Sequence, residues 1–354
     1  MGHAARMIPV ARLLQELNNN IFIASGEEHL ALYRTEMPGL TYINFSGFRP
    51  GYSRFLPQYL ALLFKTPLLL YHIILEHARL KKIIRDYDID IVISDNRFGL
   101  WNRKITTVYV THMPLIPFPE PLRFMEFTGK LLHRAVITKY SRCFIPDLPG
   151  EVNVSGRLSH GISLPDNVRF IGILSRFNSS DEHRERKLFD FRHNTIILSG
   201  PEPQRAMLKQ KLVDILENKE PPVVILEGRP DEIQNFSRSG NVLSYNHLPA
   251  AEMKEMVTGS ESIISRSGYT TIMELISLNC SALLIPTPGQ TEQEYLAGYL
   301  TEKGWFHTIS QNEIKEGITM PSKEAKWSCD IISQSRILLA KALKELLEEN
   351  HKKD

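Results

Sequence analysis

Short apolar runs alternate along this chain with longer stretches whose apolar positions recur at helical spacing. In the first half, Asn20–Ser25, Leu40–Asn44, Ile89–Ser94, Thr106–Thr111 and Arg142–Pro146 read as buried strands separated by amphipathic helices. In the second half the same reading falls on Thr195–Ser199, Pro222–Leu226, Val242–Tyr245, Ser262–Ser265 and Ala282–Pro286. Strand–helix alternation predicts an α/β fold with two Rossmann-like sheets, each binding its ligand at the carboxyl ends of the strands. The seam falls between Gly161 and Arg184, where the polar run Asn178–Asp181 follows Val168–Gly172. A first domain at 1–172 and a second at 173–330 result, followed by a charged helix over 331–350 with Ile337, Leu338, Ala342 and Leu346 on one face. No short-period repeat or low-complexity segment is present.

One segment carries chemistry. The apolar pair Ile263 and Ile264 leads through Ser265, Arg266, Ser267 and Gly268 into Tyr269–Glu274, a strand that turns through glycine into a helix. Such a helix start leaves backbone N–H groups unpaired and carries about half a positive charge, so it can hold a phosphate without a lysine. Glu274, on the first turns of that helix, has the spacing to reach the sugar hydroxyls of a nucleotide whose phosphates sit at the turn. An ordinary capped helix start with a polar first turn fits the same residues.

The sequel bears on that choice. Ser281–Pro286 reads as the next strand and Thr287–Ala297 as a polar loop entering a helix. Residues 263 to 304 thus present Arg266, Ser267, Gly268, Thr271 and Glu274, a strand ending in Pro286, the pair Gln293 and Glu294, then Glu302, Lys303 and Gly304. This run resembles the nucleotide-sugar half of the GT-B glycosyltransferases, in particular the lipid II-forming UDP-GlcNAc transferases with their family 28 C-terminal domain. The resemblance implies a GT-B fold, two Rossmann-like domains facing across a cleft, with the last helix crossing back to the first domain. It implies that Ser267 and Gly268 cradle a diphosphate, Glu274 holds the ribose and Gln293 contacts the donor sugar. Glu294 departs from the pattern, since the lipid II enzymes carry glutamine there and a carboxylate accepts hydrogen bonds without donating.

The same resemblance extends to less regular segments. Ser199–Arg205 stands where the family has a glycine- and serine-rich loop, which would turn Gly200 and Arg205 toward the diphosphate, although two prolines remove N–H donors. Tyr245, Asn246 and His247 stand where the family reads the base, and a plain loop fits them equally. Gly2, His3 and Arg6 resemble the end of a glycine-rich first loop, with Met7–Leu17 as the following helix; the first strand is missing, so the native start is expected upstream of Met1. His3 then matches the loop histidine placed beside the acceptor, where a neutral imidazole can take a hydroxyl proton; a flexible terminal histidine is the alternative. His112, at the end of the strand Thr106–Thr111, is an acceptor-side candidate or a packed core residue. Asp86, Asp88 and Asp90 imitate a metal-binding Asp-x-Asp, but they precede a strand; no metal and no other cofactor is expected.

Composition limits the alternatives. With 354 residues, 42% hydrophobic and 23% charged, the chain has the makeup of a soluble protein of two domains, and a net charge of +2 does not favour nucleic acid as a partner. Cys143, Cys280 and Cys329 show no metal or disulfide spacing, which suits a reducing cytoplasm. No signal peptide is expected, because the opening residues Met1–Arg6 lack an apolar run. The apolar stretch Phe55–Leu75 is broken by Pro57, Gln58, Lys65 and Pro67, so it reads as buried helices or as a patch touching a membrane surface or lipid-linked acceptor, flanked by Arg49, Arg54, Arg79, Lys81 and Lys82. The expected function is an inverting, metal-independent transfer of a sugar from a nucleoside-diphosphate donor, UDP-linked, to an acceptor hydroxyl of a glycan or lipid-linked molecule. The expected location is the cytoplasm, including the inner face of the membrane. A UDP-sugar epimerase or hydrolase on the same fold, or a binding protein without catalysis, fits the donor motif as well.

Overall fold

The computed structural model describes residues 2–47, 66–178, 189–200, 202–230, 235–314, 318–328 and 330–351. Arg49, Arg54, the run from Phe55 through Lys65, the seam residues 179–184 and Cys329 lie outside them. The elements in chain order are α1 (Gly2–Glu16), β1 (Phe22–Ser25), α2 (Glu27–Glu36), β2 (Thr41–Asn44), α3 (Thr66–Asp86), β3 (Ile91–Asp95), β4 (Thr106–Val110), α4 (Glu126–Ile137), β5 (Arg142–Ile145) and β6 (Val168–Phe170). There follow β7 (Asn194–Ile197), α5 (Gln204–Leu216), β8 (Val223–Leu226), β9 (Phe236–Ser239), β10 (Val242–Tyr245), α6 (Ala250–Gly259), β11 (Ile263–Ser265), α7 (Tyr269–Ser277), β12 (Leu283–Leu284), α8 (Thr291–Glu302), β13 (His307–Thr308) and α9 (Asp330–His351).

The chain divides into two compact units: Met1–Phe45 with Leu174–Cys329, and Ser46–Ile173 with Asp330–Asp354. The start of the chain thus differs from the expected division, because residues 1–45 belong with the second half. The physical reason is in their packing. Ala4, Ala5, Ile8 and Ala11 of α1 form a core with Ile23, Leu30, Leu32 and Tyr33, and the polar ends of this layer are tied to later elements. Thr270 Oγ1 donates to Gly2 O at 3.2 Å, Arg12 donates to Arg176 O at 3.1 Å, and Ala250 N donates to Glu36 Oε1 at 3.0 Å.

The larger unit holds a seven-stranded sheet in the order β13-β12-β11-β7-β8-β10-β9, parallel except for β9. Its central strands β7, β8 and β11 are buried along their whole length, as a parallel sheet covered on both faces requires. β1 and β2 form a separate parallel pair, Phe22 opposite Thr41. The second unit holds the parallel sheet β3-β4-β5-β6. The five first-half strands therefore fall into two sheets, where a single one was expected. In this second unit α9 presses on the strand end: Gly172 sits at φ +74°, a Cβ there would lie 2.3 Å from Ser335 Cα, and Ile173 N donates to Ser335 Oγ at 3.0 Å. Arg142 is paired with Glu349 of the same helix. Cys143 and Cys280 are buried, and burial pushes both thiols up, away from reactivity. Among the described residues no helix is long and apolar enough to cross a membrane.

Candidate functional site

Most of the sequence-predicted residues gather in the larger unit, at the carboxyl ends of the paired strands β7 and β11. Each strand runs into a helix there, β7 into α5 and β11 into α7. A Cβ on Gly268 would lie 3.7 Å from Ser199 Oγ, so the two turns adjoin.

Arg266 joins them. It is 1% exposed and donates to Ile285 O at 3.2 Å, Pro286 O at 3.1 Å and Gln204 O at 3.0 Å. Burial pushes its pKa down to about 10, which still leaves it cationic at neutral pH. Its two Nη groups are spent on these carbonyls while its Nε has no hydrogen-bond partner among the described residues, so Arg266 clamps the loop after β12 and the start of α5 to the turn before α7. Ser267 is equally enclosed, and its hydroxyl donates to Gln293 O at 2.8 Å. Gln293 Oε1 accepts from Thr287 N at 2.9 Å and Glu294 Oε1 from Gly289 N at 3.0 Å, so both side chains shape the turn into α8.

The two helix starts differ. Gly268 caps α7 in an extended conformation with no side-chain cap hydrogen bond, and the first turn buries Tyr269, Thr270 and Thr271. This is the arrangement that favours an anion. At α5 the carboxylate of Glu202 already fills the end, accepting from Ala206 N at 3.2 Å and from Arg205 at 3.0 and 2.7 Å. Burial opposes the charge on Glu202, but the bonds from Arg205 and Ala206 outweigh it and hold the carboxyl below its ordinary range. Arg205 also donates to Glu227 O at 3.2 Å. Gly200, at φ +101° with nothing within 4 Å of a Cβ, is there for its left-handed backbone.

Glu274 lies deeper on α7, 5% exposed. Its Oε1 is 2.9 Å from Arg176 Nε, in ion-pair contact but out of hydrogen-bond alignment, so both atoms are buried with no hydrogen-bond partner among the described residues. Burial raises the Glu274 carboxyl; Arg176 opposes that and the charge of Glu36 adds to it. Arg176 also donates to Met253 Sδ at 2.9 Å. His247 has a buried Nε2 without a hydrogen-bond partner, and burial first, then Arg176, pushes it down to about 4. Asn246 stitches its loop, accepting from Asn235 N at 2.6 Å. The Tyr245 ring packs against Phe236 and Phe189, and burial followed by Glu252 raises its hydroxyl. Arg176 and Glu36 carry no sequence signal, because the one lies in the seam and the other on a distant helix.

His3 is an exposed first-turn residue of α1, not a loop residue as expected. Arg6 lies 3.0 Å from its Nδ1; a guanidinium only donates, so Nδ1 accepts and the neutral ring carries its proton on Nε2. Gly2 beside it packs on Thr270, with a Cβ position 3.0 Å from Thr270 Oγ1. His112 belongs to the other unit and is buried just after β4. Its neighbour His133 donates from Nδ1 to Pro114 O at 3.1 Å and is pushed down to about 4 by burial. Asp86 ends α3, and Asp88, at φ +51°, and Asp90 form the turn into β3.

Residues 206–321 match the glycosyltransferase family 28 C-terminal domain. An uncharacterized glycosyltransferase of Methanosarcina acetivorans is 24% identical over 251 residues, covering 66% of this chain and 62% of the relative, under two thirds of its length. One of Methanosarcina mazei is 21% identical over 298 residues, covering 78% and 77%. Among solved structures, the glycosyltransferase SnogD from Streptomyces nogalater aligns with a TM-score of 0.57 at 13% identity over 98% of this chain and 95% of its own. The glycosyltransferase VinC, in complex with dTDP, aligns at 0.52 and 15% over 99% and 92%. The chain has the GT-B glycosyltransferase fold. Within that fold, the open end of α7 and the Glu274 network lie in the part that carries the family 28 domain, together with the 1–45 segment packed on it.

Proposed function

We propose that this GT-B protein transfers a sugar from a nucleoside-diphosphate donor to an acceptor hydroxyl, with the larger unit holding the nucleotide. The observation that carries the reading is a single helix, α7, whose uncapped start can take the diphosphate while its buried Glu274 takes the ribose. The family 28 domain supports it, and so does a diphosphate nucleotide in the complex of VinC. The diphosphate is met by backbone N–H groups of the Gly268 turn, since the Ser267 hydroxyl is engaged elsewhere.

The chemistry is an inverting displacement. The acceptor oxygen attacks the anomeric carbon, the bond to the diphosphate breaks, and the acceptor proton passes to a base. The helix end stabilises the departing charge, so no metal is required. His3 is the candidate base once Arg6 releases Nδ1. The donor is read as UDP-linked: a carboxylate reaching a ribose recognises a diol that ribonucleotides carry and thymidine nucleotides lack, and among ribonucleotides uridine follows from the resemblance to the UDP-GlcNAc transferases. The acceptor is a glycan or lipid-linked molecule on the cytoplasmic face of a membrane. The solvent-exposed apolar residues Leu68, Leu70, Tyr71 and Ile74 of α3 and Phe127, Leu131 and Leu132 of α4 support that setting.

The test is a thermal-shift and titration panel of UDP, dTDP, uridine and several UDP- and dTDP-sugars, with and without EDTA. A nucleoside diphosphate at a hundredfold its Kd should stabilise by about 2.7 kcal/mol, uridine by far less. Absence of any diphosphate effect refutes the donor site. Release of free sugar without transfer across an acceptor panel favours a hydrolase on the same fold.

A further inference from the structure

Charges of alternating sign, buried except for the half-buried Arg12, run through four elements of the larger unit. Arg12 on α1 donates to Glu36 Oε2 at 3.3 Å and to Glu36 O at 3.1 Å. Glu36 closes α2 with its side chain 5% exposed; its Oε1 accepts from Ala250 N, the first residue of α6, and lies 4.0 Å from Arg176. Arg176 in turn lies 2.9 Å from Glu274 on α7. One guanidinium is therefore shared by two buried carboxylates.

The sharing is unequal in a telling way. Arg176 Nε and Glu274 Oε1 are close but misaligned, and neither makes a hydrogen bond. Buried ions are stable only when their remaining hydrogen-bonding capacity is met, and Glu274 Oε1 is left with an acceptor that no aligned donor uses. The other two nitrogens of the guanidinium face elsewhere, one lying 4.0 Å from Glu36 Oε1 and the other donating to Met253 Sδ at 2.9 Å.

We propose that Glu36 and Arg176 are positioning residues for the nucleotide: Glu36 holds the Arg176 guanidinium off the hydrogen-bonding line of Glu274, leaving that carboxylate open to a ribose diol. The proposal rests on the donor-site reading above. It also gives the 1–45 segment a role, because Glu36 comes from that segment and acts on a helix far away in sequence. The charged and titratable groups around the centre are Arg176 facing Glu274, Glu36 and Arg12 beyond it, and His247, which is neutral near pH 7 beside Arg176. Among the described residues Arg176 is the cation in ion-pair contact with Glu274, so its loss shifts Glu274 toward the protonated form, which binds the diol less well.

The experiment titrates UDP and 2′,3′-dideoxyuridine diphosphate into the full chain and its variants between pH 5.5 and 8.5. Glu36→Gln should weaken UDP severalfold while leaving the dideoxy analogue unchanged, because only the diol meets Glu274. Arg176→Met should move the pH dependence of UDP affinity to higher pH than in the parent, and Arg176→Lys should restore the parent's profile. If both Glu36→Gln and Arg176→Met bind UDP as the parent does, or lose UDP and the dideoxy analogue alike, the two residues are merely structural and the proposal falls. If Glu274→Gln itself binds UDP like the parent, the donor-site reading fails first. Should Arg176→Met not fold, the Glu36→Gln comparison of the two ligands decides alone.

Discussion

Two buried carboxylates, one in each unit, show what separates a scaffold from a site. Asp147, after β5, is fully enclosed. Its Oδ1 accepts from Leu148 N at 2.8 Å and Val154 N at 2.9 Å, its Oδ2 from Ser155 N at 2.8 Å and Ser155 Oγ at 2.5 Å. The chain continues through Ser159 Oγ to His160 Nδ1 at 3.0 Å, and His160 Nε2 donates to Leu148 O at 2.8 Å. Serine, histidine and aspartate here have the composition of a nucleophilic relay, yet both hydroxyls are sealed and every Asp147 oxygen is satisfied, so the group locks a loop. Glu274 is as deeply buried but has an oxygen without an aligned donor. Hydrogen-bond satisfaction, more than residue type, tells the two apart.

That contrast can be broken from either side. The largest effect is expected from Asp147→Ala, which strands several buried N–H groups at about 1–3 kcal/mol each; urea denaturation should show a loss large enough to threaten folding, whereas Asp147→Asn loses less. A stable Asp147→Ala chain would refute the scaffold role.

The next effect is on pH. His133, in the same unit as Asp147, has its folded pKa lowered to about 4. A histidine protonated more readily when unfolded makes stability rise with pH, so its contribution is present above about 6.5 and is lost as pH falls from there toward 4, by roughly 2–4 kcal/mol in all. Replacing it by glutamine, which can still donate to Pro114 O, should flatten the acid limb of Tm against pH.

Glu274→Gln reverses the Asp147 pattern: nucleotide affinity should fall by about 1.5–3 kcal/mol, the worth of hydrogen bonds to a charged group, with little change in Tm. The smallest effect sharpens the boundary of the site. Ser267→Ala removes one buried hydrogen bond to Gln293 O, so it should cost about 1 kcal/mol of stability and leave UDP affinity near that of the parent. A large affinity loss would mean that the hydroxyl turns to the phosphate.

The ten strands expected from apolar runs all occur; for β4, β7, β8 and β11 the reason is that a strand buried on both faces must be apolar along its length, and such runs are visible locally. β6, β9 and β13 were not legible as strands: they are short, β9 and β13 largely exposed, and they exist through pairing with a neighbour at a sheet edge. The glycine turn into α7 was legible for the same local reason, since a helix start announces itself in three or four consecutive residues. By itself, then, the sequence determined the α/β class, the position of the helix start at Gly268 and the presence of a carboxylate on its first turns. Only the tertiary structure decided that Arg266, Ser267 and Gln293 spend polar atoms on holding the surrounding loops together, that residues 1–45 join the later unit, and that Glu36 and Arg176 stand behind Glu274. Hydrogen-bond partners and ion pairs are set by which surfaces meet on folding, and residues as far apart as Glu36, Arg176 and Glu274 leave no local pattern to read.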